Sequence, residues 1–293
     1  MTDRRLLASN GRVAHVSLKG VVDAERFVEG SHMSVVSSVA ALLDKPGGAR
    51  ERELRFGDRF LCLEERAGFV FGVSVKDGYV GVIAADALEA MPDPTHEVAA
   101  RATHALIEPD VKATDEPVPL SLGSRVHVVD ARGAWSEIAT STGARRFVPT
   151  SHLRALSDER SDPVTVARLC LGAPYLWGGN STWGIDCSGL VQLAWHMAGR
   201  ACAADSDQQE AMPGKRLPEN VELTAGDLVF WRGHVAMATG DGALIHANAH
   251  HMQVVEEPAG EAIERIRSTE TGEVTSILRP ERQKLPEAWP PNS

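Results

Sequence analysis

The rhythm of apolar and polar positions changes along this chain. Over residues 54–88 and 120–153 it is the short alternation of strands that bury one face. These two stretches read as copies of one unit. Leu54-Arg55-Phe56-Gly57-Asp58-Arg59-Phe60 returns as Leu120-Ser121-Leu122-Gly123-Ser124-Arg125-Val126, so Leu-x-x-Gly-x-Arg repeats at an offset of 66 residues. Phe69 and Trp135 keep that offset, and each copy closes with a Val and a Leu: Val82 and Leu88, then Val148 and Leu153. With turns at Asp77-Gly78 and Thr142-Gly143, the pattern predicts two small antiparallel barrels. Ahead of them, Val35 to Leu43 fits either a strand or a short helix, and Pro46-Gly47-Gly48 breaks it. Pro92-Asp93-Pro94 reads as the joint between barrels, Ser157 to Pro163 as a linker, and Pro286 to Ser293 as a loose tail.

Beyond the linker the period lengthens. Asp162-Pro163 predicts the start of a short helix, Val164 to Leu171, with proline in its first turn. Leu190, Val191, Ala194 and Met197 recur at helical spacing over Ser188 to Ala198, and Gly199 stops that helix. Strand-like runs follow at Leu228–Trp231, Val235–Thr239, Leu244–Ala247 and Gln253–Glu256, with Gly240-Asp241-Gly242 as a hairpin turn. A helix followed by an antiparallel sheet is an α+β layout.

Composition narrows the function. Hydrophobic residues at 43 % and charged residues at 24 % of 293 are ordinary globular values. The net charge is −10 and no basic run interrupts it, which argues against nucleic acid or an anionic membrane as partner. The most apolar stretch, Ser34 to Leu43, is far shorter than the roughly 20 residues that span a bilayer. The first twelve residues start with charge and lack an apolar core of the signal-peptide kind, so a cytoplasmic, reducing setting is expected. Of the four cysteines, Cys62, Cys170 and Cys202 read as small buried apolar residues.

Cys187 differs. It stands where the Ser188 helix begins, in Gly184-Ile185-Asp186-Cys187-Ser188-Gly189-Leu190. Free amides and the positive end of the helix dipole stabilise a thiolate there and can hold a developing oxyanion. A thiolate needs a proton acceptor, and Gly233-His234-Val235-Ala236-Met237 offers one. Alternation puts His234, Ala236 and Ala238 on one face, and an adjacent strand can set His246 beside His234 to orient its ring. His246, His250 and His251 could form a metal cluster, but no carboxylate accompanies them convincingly, so neither metal nor cofactor is expected.

Six blocks occur in order: Tyr175-Leu176-Trp177-Gly178-Gly179, Asp186 to Gln192, Asp205-Ser206-x-x-Gln209, Gly226 to Trp231, Gly233 to Met237 and Ile245-His246-Ala247. Over about residues 163–280 this resembles the NlpC/P60 family of papain-like cysteine peptidases, and the repeats before it resemble bacterial SH3-like modules. The resemblance implies two small all-β SH3-like barrels followed by an α+β papain-like catalytic domain. The domains would be residues 1–93 (with the first barrel), 94–157 and 158–293. It implies Cys187 as nucleophile, His234 as general base and acid, His246 as the orienting third member, Tyr175 near the oxyanion and Trp177 in the substrate groove. Asp186, Ser188, Asp205 and Ser206 would serve substrate binding. Ala203-Ala204 stand here where the family usually has Pro-Arg before Asp-Ser.

Two SH3-like modules ahead of the peptidase resemble the branch that recycles murein peptides. The implied substrate is L-Ala-γ-D-Glu-diamino acid with a free amine, cut after γ-D-Glu, and Glu53 and Tyr79 match first-barrel positions that meet the substrate in that branch. The competing readings are an exported peptidoglycan endopeptidase whose barrels hold the wall, a non-enzymatic wall-binding module, and a papain-like amidase or acyltransferase.

Overall fold

The computed structural model describes residues 3–269, 271–281 and 283. The chain falls into two units that divide between Asp158 and Glu159. The expected tail over Pro286 to Ser293 lies outside the described residues.

The first unit is all-β. Its larger sheet has seven strands, running from Arg50–Arg55 at one edge through Val39–Leu43, Val80–Ala84, Phe69–Ser74, Arg59–Arg66 and Ser31–Val35 to Leu88–Glu89. Residues 35–43, ambiguous in sequence, are the last residue of one strand, a bend, and the whole of the next strand, Val39–Leu43. Residues 96–155 form three small sheets of three, two and three strands. Both regions are sheets in linear strand order, and closure into barrels is not among their recorded pairings.

The repeat is written in the backbone. In the first copy Gly57 N donates to Val35 O (2.8 Å), Val35 N to Asp58 O (3.0 Å) and Asp58 N to Arg55 O (2.9 Å). In the second, Gly123 N donates to Val98 O (2.9 Å), Val98 N to Ser124 O (2.8 Å) and Ser124 N to Ser121 O (3.0 Å). Both glycines take positive φ, 77° and 79°, which only a residue without Cβ adopts cheaply. Leu54 and Leu120 are buried beneath the two turns. The copies also touch, because Arg125 N donates to Phe56 O (2.9 Å) and Phe56 joins Val98, Leu120 and Ile138 in the second core.

Residues 3–30, which carried little pattern, pack onto the larger sheet. Val13–His15 pairs in parallel with Arg26–Val28, and Ala8 and Val13 share a core with Leu61, Leu63, Val73 and Val80.

The second unit is α+β. Its helices are α1 (Pro163–Arg168), α2 (Cys187–Met197), α3 (Ser206–Glu210) and α4 (Ala259–Arg267). Its main sheet has strands β1 (Gly214–Leu217), β2 (Leu228–Trp231), β3 (His234–Ala238), β4 (Ala243–Asn248), β5 (Gln253–Pro258) and β6 (Ser276–Pro280), ordered β1-β6-β2-β3-β4-β5. Asp162 caps α1, its carboxylate accepting from Val164 N and Thr165 N at 3.0 Å each. All of α2 is buried, and it packs on β3 and β4. Ala262 and Ile266 of α4 close a second core with Val229, Trp231, Ala236, Ala238 and Leu244.

Candidate active site

The start of α2 is fixed by one carboxylate. Asp186 is the N-cap, and its Oδ1 accepts from Gly189 N (2.6 Å) and Ser188 Oγ (3.1 Å). Its Oδ2 accepts from Gly178 N (2.9 Å), which ties the Trp177–Gly179 loop to the helix. Asp186 thus spends both oxygens on the protein and acts through the loop it holds. Gly189 approaches that loop so closely that a Cβ would lie 2.4 Å from Gly179 O.

Cys187 is the first residue of α2 and 6 % exposed. The preceding segment is stitched to the sheet. Gly172 N donates to Val254 O (3.0 Å), Val254 N to Ala173 O (2.9 Å) and Tyr175 N to Met252 O (2.9 Å). Tyr175 is half-buried; burial raises its phenol pKa, and the neighbouring Cys187 and Asp186 push it further the same way. Its hydroxyl therefore stays a proton donor. Trp177 is 67 % exposed at the loop tip.

His234 opens β3, and its ring lies against Trp231 on β2, centroids 5.6 Å apart. Register puts Ala238 opposite Leu244, so Ala236 falls opposite His246 and His234 diagonally beside it. The two rings meet, His234 Nε2 to His246 Nδ1, at 2.9 Å. His246 is fully buried. It has a partner that sequence reasoning missed, Glu257 on β5, whose Oε1 lies 2.7 Å from His246 Nε2. Arg265 of α4 grips that carboxylate with both nitrogens, Nη1 to Oε2 at 2.7 Å and Nη2 to Oε1 at 2.6 Å. Asn248 Nδ2 also approaches His246 Nε2 at 3.0 Å. The signal for Glu257 was the register: His246 pairs with Val255, and two residues on the same face returns.

Burial lowers the His234 pKa to about 3, and the neighbouring His246 and Arg265 add to the effect while Glu257 opposes it. Glu257 is pushed up by burial, but the hydrogen bond and charge from His246, with Arg265 and His251, outweigh that and hold it below the usual carboxylate value. The site therefore presents a neutral imidazole next to a fixed anion. An unfolded histidine protonates near 6.5, so between about pH 6.5 and 3 the unfolded chain binds a proton that the folded chain refuses. Folding stability should fall as pH drops through that window and be flat above it on this account. We expect His234→Gln to relieve on the order of 1 kcal/mol of the loss between pH 7 and 4.5. Equal urea-midpoint shifts in variant and wild type would contradict it.

The other expected residues are distributed as follows. Ser188 is buried, its hydroxyl on Asp186 and its carbonyl accepting from Gln209 Nε2 (2.9 Å). Asp205 caps α3, with Gln208 Oε1 accepting from its backbone N (3.3 Å), and Ser206 is the first residue of that helix. Glu53 and Tyr79 belong to the first unit, 6 % and 2 % exposed, and Glu53 Oε1 accepts from Arg50 Nη1 (3.3 Å). The structure thus brings His234 and His246 together directly, and joins Asp186, Ser188 and the loop of Trp177.

Comparison with known proteins fits these two units. Residues 172–270 match the NlpC/P60 family, and residues 42–88 match the bacterial dipeptidyl-peptidase SH3 domain. Dipeptidyl-peptidase 6 of Lysinibacillus sphaericus is 30 % identical over 165 residues, which are 52 % of this chain and 60 % of that protein. Gamma-D-glutamyl-L-lysine dipeptidyl-peptidase of Bacillus subtilis is 29 % identical over 168 residues, 54 % of this chain and 53 % of that one. The aligned region thus spans a little over half the length of these curated relatives. The crystal structure of an NlpC/P60 family protein from Bacillus cereus superposes with a TM-score of 0.71 at 19 % identity, covering 87 % of this chain and 100 % of that one, which shows a shared fold. The chain therefore carries an NlpC/P60-family cysteine-peptidase domain in its second unit and an SH3-like domain in its first.

Proposed function

We propose that this protein is a cysteine endopeptidase that hydrolyses the bond between the γ-carboxyl of D-Glu and the following diamino acid in short murein peptides bearing a free N-terminal L-Ala. The observation that carries the reading is a thiol at the first turn of a buried helix, packed on the two strands that hold a hydrogen-bonded pair of imidazoles. The name of one curated relative, the gamma-D-glutamyl-L-lysine dipeptidyl-peptidase of Bacillus subtilis, points to the same kind of bond.

In this reading His234 takes the Cys187 proton as sulfur attacks the γ-carbonyl carbon. The oxyanion is met by amides at the start of α2 and by the protonated Tyr175 hydroxyl. When the C–N bond breaks, His234 returns its proton to the amine of the diamino acid. Water, deprotonated by His234, then splits the thioester and frees the γ-carboxylate. No metal or cofactor takes part. Trp177 lines the groove. Because Ser188 is committed to Asp186, Ser206 beside Asp205 is the better partner for the D-Glu α-carboxylate. Glu53 and Tyr79 answer the free amine, and a cytoplasmic setting belongs to the same proposal.

The test is mass spectrometry of L-Ala-γ-D-Glu-diaminopimelate, its N-acetylated copy and intact sacculi, each incubated with the protein. Cleavage of the free tripeptide alone is expected. Equal cleavage of both tripeptides refutes amine gating, and release of fragments from sacculi favours a wall-degrading endopeptidase. Glu53→Gln should lower kcat/KM on the free tripeptide about 10–100-fold, the value of one charge-assisted contact. An unchanged rate would remove Glu53 from substrate recognition while leaving the peptidase reading intact.

A further inference from the structure

We infer that Glu257, clamped by Arg265, sets the tautomer of the general base His234 by way of His246. The inference rests on the peptidase reading above, and makes Glu257 and Arg265 positioning residues for that reaction.

The argument is a chain of obligatory donors and acceptors. An ionised carboxylate only accepts. Glu257 is kept ionised by the two-pronged contact from Arg265, at 2.6 and 2.7 Å. At 2.7 Å from Glu257 Oε1, His246 Nε2 must therefore carry a proton. The Asn248 amide competes for the same nitrogen, because its Oδ1 accepts from His251 N (2.8 Å) and leaves the Nδ2 donor 3.0 Å from His246 Nε2. The carboxylate is closer and charged, so it prevails: a lone pair on Nε2 would face an anion at 2.7 Å. A neutral His246 that donates from Nε2 has its lone pair on Nδ1. That nitrogen lies 2.9 Å from His234 Nε2, so His234 must donate from Nε2. The remaining lone pair of His234 is then on Nδ1, the ring's one nitrogen outside this relay. One anion on β5 thus determines which nitrogen of a ring on β3 is basic, two hydrogen bonds away.

Glu257→Gln tests this because it removes the anion that holds the proton on His246 Nε2. With the charge gone, Asn248 Nδ2 is no longer outweighed as the donor to Nε2, which then accepts. His246 would donate from Nδ1, and His234 would carry its proton on Nδ1, where the base is needed. A triad whose orienting carboxylate becomes an amide loses catalysis by the same reversal.

Imidazole nitrogen-15 spectra at pH 7, assigned with His234→Gln and His246→Gln, read the tautomers without any substrate. The wild type should show Nε2–H on both rings, and Glu257→Gln should show Nδ1–H on both. The rate of Cys187 alkylation by iodoacetamide should fall at least 100-fold in Glu257→Gln. With an accepted peptide, kcat should fall equally while KM changes less than twofold. Glu257→Asp, which keeps the anion, should restore the wild-type tautomer and much of the alkylation rate. A wild type with Nδ1–H on His234 or a doubly protonated His246 overturns the inference, as does Glu257→Gln with unchanged spectra and alkylation. If the spectra and alkylation respond as stated but no murein peptide is cut, the substrate reading fails and this one stands.

Discussion

Cys187→Ala and His234→Ala should each reduce turnover of the free tripeptide to background, a loss of four or more orders of magnitude. In the proposed mechanism thiol and imidazole act as one unit, since the proton leaving sulfur is the proton given to the departing amine, so removing either member costs nearly as much as removing both. The double variant should therefore be no slower than the singles. Neither change should unfold the chain. Cys187 → Ala keeps the helix start, which Asp186 fixes through Gly178, Ser188 and Gly189. Circular dichroism checks the fold and mass spectrometry checks the product. Near-wild-type hydrolysis by a folded Cys187→Ala variant would end the nucleophile assignment.

Gly57→Ala should cost the first unit about 3 kcal/mol or more, the largest stability loss expected of a one-carbon change here. Two effects combine. The residue has φ of +77°, which costs an L side chain about 1–2 kcal/mol. Its added Cβ would also lie 1.9 Å from the Arg125 carbonyl oxygen and 2.7 Å from its carbon, an overlap that backbone must shift to relieve. Gly133→Ala is the control, because φ is +62° there and nothing lies within 4 Å of the new carbon. Calorimetry of both variants separates the effects. Equal losses would mean that the contact between the two turns yields freely.

Much of this was legible in the sequence, and the unread parts have separate physical reasons. The Leu-x-x-Gly-x-Arg repeat was visible because its glycines must occupy a left-handed turn, and the two hydrogen-bond frames match. The pairing of His234 with His246 followed from alternation across a short hairpin. Helix α4 was missed because Pro258 supplies no capping side chain and Gly260 stands in its first turn. Glu257 went unread because Glu256-Glu257-Pro258 looks like solvated charge until the β4–β5 register is known. Pairing of Val13–His15 with Arg26–Val28 left no mark, since three-residue strands are too short to show a period. Local patterns report local structure: Glu257 depended on a contact between strands, whereas α4 and the three-residue strands carried too weak a local signal.

The stitching of residues 172–175 along β5 has a consequence of another kind. A six-stranded sheet has two open edges, and an open edge invites another chain to add a strand. Here the segment leading to α2 occupies backbone groups of Val254 in β5 and of Met252 just before it. The opposite edge is β1, four residues long with Lys215 and Arg216 at its centre. One edge is thus partly covered and the other short and charged, so the sheet offers little free edge for edge-to-edge aggregation.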